Sequence, residues 1–261
     1  MRSLSTAATG MLAQQLNVEV ISNNIANMNT TGFKRQRAEF QDLLYQNLQR
    51  TGAQSSDTGT IVPSGVEVGV GVKAASVYRV VEQGNLVSTD NPYDLAIQGN
   101  GFFRIQLPSG EDAYTRAGSF QLSPTGQIVT TDGYAVSPGI TIPSDAVDVS
   151  INSSGEVEVK TDGDVAATVV GQIDLVIFFN EAGLESVGDN LFKQTPASGD
   201  PSVSVPGSPG YGSILQGFLE TSNVNAVSEI TALIAAQRAY EMNSRVITTS
   251  DEMLRTTTTL R

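Results

Sequence analysis

Residues 4–28 read LSTAATGMLAQQLNVEVISNNIANM, and apolar side chains recur in this stretch at alternating spacings of three and four residues. This spacing places them on one face of an α-helix, and it is typical of the seam of a coiled coil or helical bundle. The seam consists of Leu4, Ala7, Met11, Val18, Ile21, Ile25 and Met28. The helix is predicted to run from about Ser3 to Met28, with Gly32 suited to a left-handed cap beyond it.

The C-terminal residues carry a second stripe of the same kind. Its members recur every seven residues, with one more between the first two: Ala226, Leu233, Tyr240, Ile247 and Leu254, and Ile230. The helix is predicted to open at Ser222 or Asn225, either of which can cap it, and to run to about Thr256, where a run of poor helix formers begins. Gln14 and Gln237 interrupt the two stripes, and polar seam residues can set register at a cost in stability.

Between the helices the sequence indicates β-structure. Residues 102–107, 147–151 and 156–160 alternate at period two. Residues 174–179 form a more continuous apolar run, typical of a buried strand. Turn dipeptides recur between such runs, which favours an antiparallel sandwich or irregular barrel. The predicted fold class is α+β, in which N- and C-terminal helices form a coiled-coil-like inner domain and a mainly antiparallel β domain is inserted between them.

The segment that follows the first helix is expected to connect it to the β domain. Residues 33–45 are predicted to be helical for a few turns. Residues 51–65 are small and polar, which is typical of a flexible connection or a protruding loop. The predicted domains are a helical domain at 1–32 and 222–261, a linker with an extended, protruding segment at 33–72, and a β-rich outer domain at 73–221.

The composition argues against catalysis. The chain has 261 residues and contains neither cysteine nor histidine. Thiol chemistry and cysteine-based metal sites are therefore excluded, and the commonest general base and metal ligand is missing. No motif indicates a catalytic residue, a cofactor or a metal site. The sequence favours a structural protein over an enzyme.

The charge distribution bears on possible partners. The net charge is −12, and residues 51–216 carry six basic and nineteen acidic side chains. An acidic middle opposes nucleic-acid binding, because phosphate contacts need Lys and Arg. No run of eighteen apolar residues is present, so no membrane-spanning segment is predicted. The N-terminal residues also lack the apolar core of a cleaved signal peptide, so the protein is expected either to stay inside the cell or to leave by a route that reads no cleaved signal.

Four separated motifs resemble those of the bacterial flagellar rod and hook proteins. They lie at residues 26–34, 94–103 and 114–120, and in the C-terminal region from residue 222 to residue 254. The positions that carry the terminal signatures are Ala26, Asn27, Thr30, Gly32, Phe33, Lys34, Ser222, Asn223, Gln237, Arg238, Ala239, Tyr240 and Glu241. The resemblance covers essentially the whole chain, in order.

What the resemblance implies is a structural role in the flagellar basal body. The chain would form a straight homo-oligomeric helical tube, part of the drive shaft that transmits torque from the motor to the hook. Its implied partners are the proximal rod proteins, the hook protein, the P-ring and L-ring proteins and the flagellar type III export apparatus. The seam residues of both helices would then lie at subunit interfaces.

Within the family, the length and residues 42–56 resemble the distal segment of the rod. We expect the region around residues 46–65 to reach onto adjacent subunits and stiffen the tube; a passive solvated loop is the alternative. The residues assigned to this segment are Tyr45, Gln54, Ser55, Ser56, Pro63 and Gly65.

Other functions remain open from sequence. A hook subunit or another rod segment would differ in curvature and axial position. A wall-degrading enzyme would release fragments from purified cell wall, and a secreted adhesin with coiled-coil ends would not assemble into tubes.

Overall fold

The computed structural model describes residues 2–49, 64–162 and 166–259, and the chain separates into two compact units. The first, here called the helical unit, consists of Met1–Ile25, Gln36–Tyr78 and Asn225–Arg261. The second, here called the β-rich unit, consists of Ala26–Arg35 and Arg79–Val224. A helix at each end of the chain and many antiparallel strands between them confirm the predicted α+β class.

The helical unit contains α1 (Arg2–Ala26) and α2 (Ala226–Thr259). Asn225 caps α2, because its Oδ1 accepts a hydrogen bond from the Ser228 amide at 3.2 Å. The prediction that α2 stops near Thr256 is wrong: the helix continues to Thr259. The threonine hydroxyls there donate to carbonyls three or four residues earlier, as Thr258 Oγ1 does to Arg255 O at 2.8 Å.

The helical unit also contains β1 (Gln36–Asp42), β2 (Tyr45–Gln49), β3 (Val66–Gly69) and β4 (Val72–Arg79). β1 pairs with β4, and β2 pairs antiparallel with β3. The expectation of helix within residues 33–45 is therefore wrong. In Gln36–Glu39, half-buried and exposed side chains alternate at period two, as in a strand. The pattern was not recognised in the sequence because the side chains there are mostly polar or charged.

The strands β1 to β4 thus belong to the helical unit, apart from Arg79, whereas the sequence predicts a linker at residues 33–72. α1 ends two residues before the predicted Met28, because residues 27–33 form successive turns: the Thr30 amide donates to Asn27 O and the Phe33 amide to Thr30 O. Gly32 adopts a φ of +68°, and a Cβ there would lie 2.7 Å from the Ala117 amide nitrogen. Only glycine fits this position without strain.

The β-rich unit is built from short strands joined by tight turns. In chain order these are β5 (Leu86–Ser88), β6 (Leu95–Gln98), β7 (Phe102–Gln106), β8 (Asp112–Thr115), β9 (Gln121–Leu122), β10 (Ile128–Val129), β11 (Ala135–Val136), β12 (Ala146–Ile151), β13 (Glu156–Thr161), β14 (Thr168–Gln172), β15 (Leu175–Ile177), β16 (Glu185–Gly188), β17 (Leu191–Lys193), β18 (Ser202–Ser204), β19 (Ser213–Gln216) and β20 (Phe218–Glu220). A 3-10 turn lies at Glu181–Gly183. The strands expected around residues 102–107, 147–151, 156–160 and 174–179 are all present, which confirms the period-two interpretation.

The sheets of the β-rich unit are antiparallel. A large sheet follows the order β16-β17-β8-β7-β11-β10-β9, and β15 joins it by pairing with β7 and β18. β12, β13 and β14 form a meander, while β6 pairs with β19 and β5 with β20. The strands nearest the C-terminus are therefore hydrogen-bonded to the first strands of the unit.

Apolar side chains from these sheets form a closed core. It contains Phe103, Phe120, Ile97, Val157 and Leu175. The rings of Phe103 and Phe120 pack edge to face, with 5.2 Å between their centroids. A second cluster gathers Phe102, Tyr114, Val176, Phe178, Leu184 and Phe192. The β-rich unit thus has a core of its own, although some large apolar side chains, such as Val147 and Phe179, remain exposed.

Candidate assembly surfaces

The two helices lie antiparallel in the helical unit and meet along small and polar residues. Ser3 Oγ lies 3.4 Å from Ser250 Oγ near one end of the pair. Near the other end, Asn24 Nδ2 donates to Glu229 Oε2 at 3.1 Å. Between these contacts, Gly10 faces the Asn243 side chain. The positions that join the helices therefore differ from the apolar stripes seen in the sequence.

The side chains of the predicted α1 seam differ in how far they are buried. Ala7 and Ile21 are buried. Half-buried members are Leu4, Met11, Val18 and Ile25. Met28 is exposed and lies beyond the end of α1. Gln14, which interrupts the seam, is half-buried as well.

The predicted seam of α2 lies mostly outside. Ala226, Leu233 and Ile247 are half-buried, while Ile230, Tyr240 and Leu254 are exposed. The buried side chains of α2 are instead Glu229, Ala236 and Ser250, with Asn243 half-buried between the last two. These residues also recur every seven positions, but their polar or small side chains hid them from a search for apolar periodicity.

α2 carries further large apolar side chains that the single chain leaves exposed. They are Val227, Ile230, Ile234, Met242, Val246 and Met253, and we call them the outer apolar residues. A monomeric soluble protein seldom exposes so many along one element, and such residues mark an interaction surface. The helical unit therefore offers apolar area that other molecules can cover.

The C-terminal signature residues on α2 are solvent-accessible. Gln237, Tyr240 and Glu241 line a groove of the helical unit together with Gln15, Val18 and Glu19 of α1. Arg238 Nη1 lies 3.0 Å from Glu241 Oε2, an exposed ion pair of one helix turn. Ala239 is half-buried. The structure thus brings these signature residues together at the surface.

The signature residues nearer the helix ends converge inside the β-rich unit. Asn223 Oδ1 accepts a hydrogen bond from the Arg35 amide at 2.7 Å, and its Nδ2 donates to Val80 O and Glu82 O, each at 2.9 Å. Its own amide donates to Phe33 O. One carboxamide therefore joins three chain segments, which we call the junction: residues 26–35, 79–85 and 217–224.

The other N-terminal signature residues shape the turn that enters the junction. Thr30 Oγ1 lies 3.1 Å from Asn27 Oδ1, and the Gly32 amide donates to Glu220 O at 2.8 Å. Ala26 is exposed. Ser222 is buried, and its Oγ accepts from the Val224 amide, so it closes a local turn rather than capping α2.

A buried group of charges, here called the charge clamp, lies beside the junction. Lys34 Nζ and Arg116 Nε each lie 2.6 Å from a different oxygen of the Glu220 carboxylate. The three side chains are 4%, 5% and 1% exposed. Arg116 also donates to Gly99 O and Gly101 O, and Glu220 Oε1 accepts from the Gly84 amide. Buried charges require such complete pairing.

The electrostatics of the clamp favour an ionised Glu220. Burial alone would raise the pKa of this carboxyl, but Arg116 and Lys34 outweigh burial and hold the pKa below its ordinary value. Burial raises the pKa of nearby Glu181, which the same two cations only partly counteract. The clamp thus ties together residues 34, 84, 116 and 220 of the β-rich unit.

Among the clamp residues, the sequence identified Lys34 through its motif. Arg116 lies within the motif at residues 114–120, which by itself indicates no role for its side chain, and Glu220 lies outside all four motifs. The two partners of Glu220 lie 186 and 104 residues away in the chain. No local pattern reports a pairing over that separation.

The β2–β3 hairpin and the preceding Leu44 are a further exposed apolar feature of the helical unit. Leu44, Tyr45, Leu48, Val66 and Val68 are all exposed, Leu44 to 88%. An isolated two-stranded hairpin is marginal in water, so this one needs a partner surface. Of the residues predicted to stiffen the tube, Tyr45 is exposed and Gly65 half-buried. Gln54, Ser55, Ser56 and Pro63 lie outside the described residues.

Metal and membrane sites find no support within residues 2–49, 64–162 and 166–259. No group of three or more Asp or Glu side chains there is arranged to hold a metal ion. None of the helices in the same ranges combines the length and apolar character needed to cross a membrane.

Comparison with known families identifies both ends and the centre of the chain. The model of the flagella basal body rod protein matches residues 4–34, and that of the flagellar hook protein FlgE/F/G D1 domain matches residues 96–159. The model of the flagellar basal body rod FlgEFG protein C-terminal region matches residues 215–260. The matches include both helices, the junction and much of the β-rich core.

Relatives match at full length. The flagellar basal-body rod protein FlgG of Caulobacter vibrioides is 65% identical over 100% of both chains. The proteins of the same name from Agrobacterium fabrum and Buchnera aphidicola subsp. Schizaphis graminum are 54% and 49% identical. Each covers 97% of this chain, which in turn covers 97% and 96% of them. The chain therefore belongs to the FlgG family of flagellar basal-body rod proteins.

Proposed function

We propose that this subunit of the flagellar distal rod assembles with copies of itself into a straight hollow tube that transmits torque to the hook. The observation that carries the proposal is the contrast between a β-rich unit with a closed core and a helical unit with large apolar side chains outside. The second arrangement is costly in water and becomes favourable when other copies cover it.

The terminal helices form the inner layer of the tube in this proposal. Their contacts at Ser3–Ser250, Gly10–Asn243 and Asn24–Glu229 are separated by multiples of seven residues, which supports a coiled-coil-like pairing. The outer apolar residues of α2 then bury against helices of neighbouring subunits. The seam residues that stay half-buried in one chain become fully buried at the same time.

The partners and place of action follow from this role. The tube lies in the basal body, joins the proximal rod proteins to the hook protein and turns within the P- and L-rings. Its subunits travel through the flagellar type III export apparatus. The charge of the chain, −12, suits a β-rich surface that stays solvated beside the rings rather than adhering to them.

Electron microscopy of the concentrated full-length protein tests self-assembly. Straight hollow tubes are expected, and Ile234→Asp should prevent them because a charge would replace an outer apolar residue. Val147→Asp is the matched control, since Val147 is also exposed but lies on β12 of the β-rich unit. If both variants form tubes as the unmodified protein does, the outer apolar residues are not the assembly surface.

The β2–β3 hairpin stiffens the tube in this proposal by covering its exposed apolar side chains on an adjacent subunit. Deleting residues 47–64 removes three of the five residues of β2 together with most of the segment that connects it to β3. The deletion variant should still assemble, because the helices remain, but its tubes should be curved. Tubes that stay straight after the deletion would assign the hairpin no part in stiffness.

A further inference from the structure

We infer that the two terminal helices of one chain select their pairing register through polar contacts, and that the Asn24–Glu229 pair fixes it. We call Ser3–Ser250, Gly10–Asn243 and Asn24–Glu229 the polar ladder. The inference rests on the proposed function in one respect: it takes the outer apolar residues to be reserved for other copies. The ladder itself lies wholly within the helical unit of a single chain.

The ladder has the geometry of an antiparallel heptad register. From the first contact to the second, the position advances by seven on α1, from Ser3 to Gly10, and retreats by seven on α2. From the second to the third, it advances by fourteen to Asn24 and retreats by fourteen to Glu229. One register therefore satisfies all three contacts.

Asn24 and Glu229 make the most demanding contact of the ladder. Asn24 is 1% exposed and Glu229 is 7% exposed. Asn24 also accepts from the Gln36 amide at 2.8 Å and donates to Gln36 O at 2.9 Å, so its carboxamide is held in one orientation. A buried carboxylate that loses such a donor is destabilising, and a slipped register would break this bond.

Gly10 contributes to the choice of register through its small size. Glycine within a helix is less favourable than alanine by about 1 kcal/mol, so its presence requires a reason. A Cβ at this position would lie 2.8 Å from Asn243 Nδ2. Gly10 thus makes room for the Asn243 carboxamide in this register.

The apolar stripes cannot provide the same information. Leu233, Tyr240, Ile247 and Leu254 repeat every seven residues, so a slip of one heptad places a similar side chain at each position. A slip in one direction sets Asn24 opposite Ala236, which offers no acceptor. A slip in the other sets Gly10 opposite Ala236 and Asn243 opposite Ser3. Only the polar ladder distinguishes the registers.

Disulfide formation tests the register directly, because the chain contains no cysteine of its own. Ser3→Cys with Ser250→Cys reports the observed register, and Ser3→Cys with Thr257→Cys reports a slip of one heptad. Each pair is oxidised in dilute full-length monomer, and intramolecular cross-links are separated from dimers by gel mobility. The first pair should cross-link much faster than the second; the reverse order, or no cross-link in either, overturns the inference.

The ladder variants then show what sets this preference. Asn24→Ala with Glu229→Ala should reduce the preference for the Ser3–Ser250 cross-link by about tenfold or more, as expected for loss of a buried hydrogen bond to a charged group. The control, Thr231→Ala, removes an exposed hydroxyl that donates to Val227 O within α2 and should change nothing. An unchanged preference in the ladder variant would overturn the inference.

Two additions keep the test decisive if the double alanine variant does not fold. Glu229→Gln retains an acceptor for Asn24 and should keep most of the preference, whereas Gly10→Ala should weaken it although alanine favours helix. A preference that Gly10→Ala leaves intact or strengthens contradicts the steric part. Because cross-linking is measured in monomer and tubes by microscopy, failure of the ladder and failure of the rod proposal are distinguishable.

Discussion

The two units of this chain differ in what they leave for other molecules to cover. In the β-rich unit, aromatic and branched side chains fill a closed core, and the buried Glu220 carboxylate is paired with two cations. In the helical unit, small and polar residues join the helices while large apolar side chains face solvent. The difference teaches that the β-rich unit has its own core, whereas the helical unit, in the proposed function, buries its large apolar side chains only on assembly.

The largest expected effect concerns the closed core. Phe103 is fully buried, so Phe103→Ala should lower the free energy of unfolding of the β-rich unit by about 3–5 kcal/mol. Phe179→Ala is the matched control, because the Phe179 side chain is fully exposed and should contribute almost nothing. Denaturant unfolding followed by circular dichroism measures both. Similar losses in the two variants would mean that the core is not closed as described.

The charge clamp should be nearly as sensitive. Glu220→Ala leaves Lys34 and Arg116 buried without a counter-charge, and the expected cost is about 3–5 kcal/mol in the unfolding free energy. Glu111→Ala, which breaks the exposed ion pair with Lys193, should leave stability unchanged within error. The same unfolding experiment compares them, and a negligible effect of Glu220→Ala would show that water reaches the clamp.

Lowering the pH should reduce the contribution of the charge clamp to the free energy of unfolding. The pKa of Glu220 is lower in the folded chain than its unfolded value of about 4.3, so its stabilisation is fully present above that unfolded value. It is lost as pH falls through the folded pKa, since the carboxylate becomes protonated. The stability difference between the unmodified protein and Glu220→Gln should therefore be constant near neutral pH and narrow below about pH 4. A difference that widens in acid would reverse the assigned direction.

The smallest expected effect on stability concerns the outer apolar residues. Met242→Ser and Val246→Ser should change the unfolding free energy of the monomer by no more than about 0.5 kcal/mol, because both side chains are already exposed. The same variants should raise the protein concentration needed for assembly, measured by light scattering. If these variants destabilise the monomer but leave assembly unchanged, the outer apolar residues stabilise the single chain and do not serve assembly.

Period and turn chemistry made much of the β-rich unit predictable. The alternation in residues 156–160 and the apolar run in residues 174–179 report local burial, and both are strands. The same reasoning failed for residues 36–42, where Arg37 and Glu39 point outward from a strand whose start is held by the Asn24 side chain. That partner lies on another element and leaves no local signature.

The candidate site was less predictable than the fold. The stripes of both helices were identified, but Glu229, Ala236 and Ser250 join the helices instead of the apolar members. A search that rewards hydrophobicity passes over such positions, although their seven-residue spacing was visible. The clamp could not be foreseen at all, because Lys34, Arg116 and Glu220 become neighbours only when the β-rich unit closes.

The position of Glu220 along the chain also sets an order of events during synthesis. In a nascent chain, Lys34 and Arg116 leave the ribosome long before Glu220 does. In the same way, β5 and β6 are synthesised long before their pairing strands, β20 and β19. Contacts of such long sequence separation form late. Until translation is nearly complete, two cations lack their counter-charge and the β-rich unit lacks its closing strands. The chain is thereby kept open for most of its synthesis, and an open chain is what the export route in the proposed function requires.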